Sequence, residues 1–125
     1  MTGYTLDTNS IIYYAHSDKQ VVKTLDVIFS EHVPFYISTV SEIELFGFPS
    51  LSEKEAGDIE RFLLAVAIIP LDSHIARIAA LLRKQYGIKT IDSAIAATSI
   101  FTKTTLITRN VKDFNKIPNL FLQAI

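Results

Sequence analysis

No cysteine occurs among the 125 residues. That absence removes disulfides, thiolate nucleophiles and cysteine-based zinc sites together. It fits a cytoplasmic location, where thiols are not needed as staples. His16, His32 and His74 have no partners at ligand spacing, so they read as surface or capping residues. A positively charged, apolar leader is missing as well, and no apolar run approaches a membrane span. The longest uninterrupted run, Phe62 to Leu71, is too short. The expectation is a chain with no membrane association. Internal repeats, low-complexity tracts and linkers are also absent.

What remains reads as a single domain, 1–125. Of its residues 49% are hydrophobic, enough for a core of its own. A net charge of −1 argues against a generic nucleic-acid coat. It does not exclude an enzyme that acts on nucleic acid, because distribution matters more than the sum. Glu53, Glu55, Asp58 and Glu60 crowd the middle of the chain. Arg77, Arg83, Lys84, Lys89, Lys103, Arg109, Lys112 and Lys116 dominate the later part, against only Asp92 and Asp113. Solvated helix faces explain such an asymmetry as readily as a binding surface does.

Apolar patterning sets out the elements. Tyr4-Thr5-Leu6 favours a strand, and Thr8, Asn9 and Ser10 can cap a helix carrying Ile11, Ile12, Tyr13 and Tyr14. Ser17 or Asp18 starts a second helix with Val21, Val22, Leu25, Ile28 and Phe29 at helical spacing, ended by Pro34. Phe35-Tyr36-Ile37-Ser38 is a second strand. Thr39 or Ser41 opens a short helix through Phe46, closed by Gly47 and Pro49. Ser52-Glu53-Lys54-Glu55 is a capping box. Ala67 to Leu71 reads as a third strand, and Asp72 or Ser73 caps a helix that stops at Gly87. Thr90 to Ser99 is a helix of small residues. Thr105-Leu106-Ile107 is a fourth strand, and Leu120-Phe121-Leu122 a last, edge strand. Alternating strands and helices predict an α/β fold in three layers. Its central sheet of four to five strands is mainly parallel, with helices on both faces.

Such sheets carry their sites at the carboxyl ends of the strands. Asp7 falls there, directly after the first strand, although capping the helix is its blander role. Glu44 lies in the helix after the second strand, with a capping-box alternative through Ser41. Asp113 lies in the loop after the fourth strand. Asp92 begins the small-residue helix, where a carboxylate also suits the helix dipole. Glu42 and Glu44 point about 200° apart on an ideal helix, so they cannot share one task. Four carboxylates without cysteine or clustered histidine imply oxygen ligands and a hard cation, Mg²⁺ or Mn²⁺. Such a cation with an activated water hydrolyses phosphodiesters. Thr8, Asn9, Ser10, Thr108, Arg109 and Asn110 offer donors and one fixed positive charge for the scissile phosphate.

Leu6-Asp7-Thr8-Asn9, Ile37 to Leu45, Ile91 to Thr98 and Leu106 to Phe114 occur in that order. In this the chain resembles the PIN-domain ribonucleases, most closely the short bacterial and archaeal VapC-like toxins. The resemblance implies that Asp7, Glu44 and Asp92 bind the metal. Some relatives carry Asp where Asn110 stands, and others use the acid before the Phe, here Asp113. The expected fourth acid is therefore Asp113, with Asn110 beside it. The resemblance further implies an RNA substrate, a homodimer and a cognate antitoxin protein. Tyr13, Tyr14, Phe46, Phe48 and Leu51 are the candidate antitoxin groove, with plain core as their alternative. A phospho-receiver module would want paired acids after the first strand, and a phosphatase with an Asp nucleophile would want an acid at Asn9. A PIN domain of RNA maturation, or an inactive scaffold, would carry the same residues.

Overall fold

The computed structural model describes residues 3–125. In chain order these form β1 (Tyr4–Leu6), α1 (Thr8–Ala15), α2 (Lys19–Phe29), β2 (Phe35–Ser38), α3 (Thr39–Phe46) and α4 (Glu53–Leu63). Then come β3 (Ala67–Ile69), α5 (Ser73–Tyr86), α6 (Thr90–Thr102), β4 (Thr105–Thr108), α7 (Val111–Phe114) and β5 (Leu122–Ala124). The five strands make one sheet in the order β3-β2-β1-β4-β5. Every neighbouring pair is parallel, so the sheet is all-parallel rather than mainly so. Tyr4 of β1 stands opposite Phe35 of β2 on one side and Thr105 of β4 on the other.

Two cores lie on opposite faces of this sheet. Leu6, Ile37 and Ile107 pack with Ile11, Val21, Leu25, Leu45 and Ile59 from the helices α1 to α4. Leu106 packs with Ile75, Leu82, Ile95 and Phe114 from α5, α6 and α7. Leu106 and Ile107 are adjacent yet join different cores, as the two-residue period of a strand requires. Helix α6 sits close because Ala96 and Ala97, both fully buried, hold no bulk off the strands. Burying a Leu or Ile side chain stabilises by about 1.5–3 kcal/mol, so these two clusters carry the fold.

Side-chain caps fix where the helices begin. Asp7, Asp18, Ser38, Ser52 and Asp72 each accept a hydrogen bond from a first-turn amide. Such a cap is typically worth about 1 kcal/mol. The Ser52–Glu55 capping box is reciprocal, as its spacing implied. Gly87 ends α5 at φ +67°, a left-handed conformation that suits glycine.

Several boundaries differ from the sequence reading. Helix α2 stops at Phe29, well before Pro34, because Ser30 caps it and His32 adopts φ +56°. Ser38, not Thr39 or Ser41, caps α3. Strand β3 ends at Ile69, since Pro70 has no N–H to extend the ladder. The last strand is Leu122–Ala124 rather than 120–122, because Leu120 turns into the core and bonds back to the carbonyl of Ile117. Asp113 stands on the short helix α7, not in an open loop.

Candidate active site

Strand β1 runs through the middle of the sheet and delivers Asp7 at its carboxyl end. The side chain is only 6% exposed. A buried carboxylate demands partners, and both its oxygens have them. Oδ1 accepts the Ser10 amide at 2.8 Å, which is the cap of α1. Oδ2 accepts the Thr108 hydroxyl at 2.5 Å, from the end of the neighbouring strand β4. The Thr108 oxygen in turn accepts the amide of Asn110 at 2.9 Å. Asn110 donates from Nδ2 to Asp113 Oδ2 at 3.1 Å. A chain of hydrogen bonds thus links Asp7 to Asp113 across the β4–α7 turn.

Glu44 is reached from the other side. Thr8, the residue after Asp7, donates its hydroxyl to Glu44 Oε1 at 2.6 Å and lies 3.0 Å from Ser41 Oγ. Because Ser38 caps α3, the capping-box alternative for Glu44 falls away. Asp92 stands in the first turn of α6, half-buried. Helix α6 feeds β4 through a tight turn and so runs against it, which puts its first turn at the strands' carboxyl edge. No strand needs to precede Asp92 for it to arrive there. Burial raises the Asp92 carboxyl above its ordinary range, and the charges of Asp113, Asp7 and Glu44 raise it further. Lys89 offsets a little of that.

Two clefts open beside these acids. Thr8, Asn9, Ile12, Ile43, Glu44, Gly47, Phe48 and Pro49 line one of about 280 Å³. The other is smaller, about 70 Å³, and holds Asp92 and Asp113 with Lys89 and Lys116.

Some expected members lie elsewhere. Arg109 follows Thr108 but turns away from the acids. Its Nη1 and Nη2 each donate to Asp18 at 3.3 Å, and Nε donates to the Ile125 carbonyl at 3.3 Å. The guanidinium carbon lies 4.4 Å from the centre of the Tyr13 ring. The five residues of the candidate groove are also divided. Tyr14 lines a groove of about 460 Å³ between α1, α2 and α4, whereas Phe48 lines the Glu44 cleft. Phe46 is half exposed, and Tyr13, Leu51 and Phe48 rest partly on the core. Sequence reasoning took Thr108 for a phosphate donor and missed that it holds Asp7. Lys89 and Lys116 had only the charge asymmetry to mark them.

Oxygen-only donors suit a hard cation. Among the described residues no three histidines, aspartates or glutamates gather as a ready-made ligand set. Mg²⁺ takes one or two carboxylates and keeps several waters, so an acid cluster of this looser kind fits a hydrated cation.

The profile of the PIN domain matches residues 4–120 of the chain. The chain belongs to the PIN-domain family. None of the curated proteins matches it. Among solved structures it is similar to VapBC2 from Rickettsia felis bound to a promoter DNA fragment, at 26% identity and TM-score 0.82. That match covers 98% of each chain. A toxin–antitoxin complex from Klebsiella pneumoniae matches at 28% identity and TM-score 0.79, over 94% of this chain and 95% of that one. VapBC-1 from nontypeable Haemophilus influenzae matches at 27% and 0.77, over 97% and 96%. No helix among the described residues of this PIN domain is long and apolar enough to cross a membrane.

Proposed function

We propose that this PIN domain is a metal-dependent endoribonuclease and the toxin of a toxin–antitoxin pair, working in the cytoplasm. The observation that carries the reading is geometric: Asp7 and Asp113 are joined through Thr108 and Asn110, Glu44 is held by Thr8 beside Asp7, and Asp92 shares a cleft with Asp113. Asp7, Glu44 and Asp113, from three other elements, act on the half-buried Asp92.

Asp7, Glu44, Asp92 and Asp113 are the acids from which Mg²⁺, or Mn²⁺ in its place, would take one or two carboxylates, with the others acting through its waters. When bound, such a cation lowers the pKa of a water and polarises a phosphoryl oxygen. The chain's own part is positioning. The Ser10 amide and the Thr108 hydroxyl fix both oxygens of Asp7. Thr8 orients Glu44, and Asn110 orients Asp113. Asn9 is exposed in the Glu44 cleft, where its amide can donate to a substrate. RNA is the substrate class that the VapC-like resemblance implies. The likeness to VapBC and other toxin–antitoxin complexes supports a cognate antitoxin as partner. A homodimer is part of the same proposal.

Purified protein should cut single-stranded or structured RNA with Mg²⁺ or Mn²⁺ and stop when a chelator is added. Asp7→Asn should abolish turnover while the domain stays folded, because it keeps volume and cap but removes charge. Wild-type cleavage by Asp7→Asn would overturn the site. A small antitoxin reading frame beside this one would support the toxin role over RNA maturation.

A further inference from the structure

We infer that Lys89 and Lys116 grip the phosphodiester backbone of the substrate strand on the Asp92–Asp113 side of the acids. This rests on the nuclease reading and names two substrate-binding residues for it. Both lysines line the small cleft that holds Asp92 and Asp113. Both side chains are exposed. Among the described residues neither is in an ion pair. By contrast Lys54 and Arg61 are paired with Asp58, and Arg109 with Asp18.

Their backbones are held far more firmly than exposed lysines need. Lys89 follows Ile88, which is 4% exposed, and Lys116 precedes Ile117, which is 2% exposed. Both isoleucines belong to the same core on one face of the sheet. Arg83 adds a second anchor on the Lys89 side. Its Nη1 donates to the Ile88 carbonyl at 3.1 Å and to the Thr90 hydroxyl at 2.7 Å. On the Lys116 side the amide of Ile117 bonds to the Phe114 carbonyl at 3.1 Å. Two exposed lysines therefore rise from anchored backbone beside the acid pair.

Charge complementarity chooses the occupant. A polyanion approaching four carboxylates is repelled, and a cation in the site offsets only part of that. Lysines act on phosphates as mobile point charges, which suits a backbone read without sequence. The competing role is internal: the lysines would only neutralise Asp92 and Asp113. That role predicts lost stability or altered metal affinity on substitution, with no change in how RNA binding responds to salt.

The experiment measures binding of a single-stranded RNA to the full chain in chelator, so that nothing is cut, across a salt series. For single strands the slope of log K against log salt changes by about 0.7 per phosphate neutralised. Lys89→Ala with Lys116→Ala should therefore flatten the slope by about 1.4. Lys89→Arg with Lys116→Arg should restore it. Lys54→Ala, which removes a cation already paired with Asp58, should leave it alone. With metal present the alanine pair should raise KM and hold kcat, as loss of uniform binding does. A thermal melt checks that the variants fold. An unchanged slope and KM in a wild type that cuts RNA overturns the lysine assignment and leaves the nuclease standing. A wild type that binds RNA but never cuts it overturns the nuclease reading, while the slopes still judge the lysines. A wild type that neither binds RNA in chelator nor cuts it with metal sinks both.

Discussion

Thr108→Val tests the link that holds the candidate site together. The change keeps shape and removes one hydroxyl. That hydroxyl donates to a carboxylate 6% exposed, from a residue that is fully buried. A hydrogen bond to a charged group is worth about 1.5–3 kcal/mol net, and its loss leaves a buried charged oxygen short of a partner. The Asn110 amide loses its acceptor too, at about 1 kcal/mol. Together the expected loss is roughly 3 kcal/mol, with the upper end held down by water entering the gap. Urea unfolding followed by circular dichroism reads this as a lower midpoint at an unchanged slope. In a chain of this size the melting temperature should fall by roughly 10 °C. Repeating the change in an Asp7→Ala background should cost only the Asn110 part, about 1 kcal/mol, because contacting residues couple. A single-variant loss under about 0.5 kcal/mol, the level of an ordinary surface change, refutes the account.

Glu44→Gln should cut RNA cleavage by orders of magnitude, because it removes one of the charges that would hold the cation, while Glu42→Gln changes it little. The reverse ranking in the same cleavage assay would mean that α3 presents the wrong glutamate. Asp92→Asn should raise the melting temperature of chelator-treated protein at pH 7. A carboxyl raised in the fold adds stability that is full below the usual 3.8 and is lost as pH rises through the raised value. The gap between variant and wild type should therefore shrink as pH falls towards 3.8; a gap that ignores pH would contradict the crowding of acids around Asp92. Co-expression with the neighbouring small protein should yield a complex whose RNase activity is silent. Phe46→Asp or Phe48→Asp should release it while the free enzyme still cuts, and a variant that stays bound and inhibited would leave those side chains as core.

Much of the fold was legible because its signals are local. The strand runs at residues 4–6 and 35–38 and the cap at Ser52 were readable from side-chain chemistry alone, and Asp18 and Asp72 were each one of two candidate caps. Boundaries failed where tertiary packing decided them. Leu120 looks like strand, but the core takes it, and the ladder starts two residues later. The acids were legible as an ordered set rather than singly. Arg109 shows the limit of that approach. Its place beside Thr108 and Asn110 suggested a phosphate donor, yet Asp18 lies 91 residues away in sequence and captures it. Only the juxtaposition of the α1–α2 connection with the end of β4 reveals that partner. Lys89 and Lys116 were hidden for the same reason, since 26 residues separate two side chains that share one cleft.

Asp7 shows why a bland and a sharp reading of one residue need not compete. It does cap α1, as a lone Asp at a strand–helix junction is expected to. Ser, Asn or Asp caps a helix about equally well, so the cap alone does not call for a charge. What exceeds the cap is the second oxygen, held by Thr108 on a different strand, at the edge where Asp113, Asp7 itself and Glu44 act on the Asp92 carboxyl. The parallel sheet makes the coincidence natural. Helices begin within three residues of the ends of β1, β2 and β4, so a capping residue there also stands at the edge where such sheets carry their sites. Asn at position 7 keeps the cap oxygen and gives up the charge, whereas Ala gives up both. Melting temperature should therefore separate Asp7→Ala from Asp7→Asn by about the 1 kcal/mol of a cap, since the Asn NH2 opposite Thr108 cannot accept its hydroxyl and both variants lose that bond. Cleavage should not separate them, because both lack the charge. If Asp7→Asn kept substantial cleavage and only Asp7→Ala lost it, Asp7 would be a cap and nothing more.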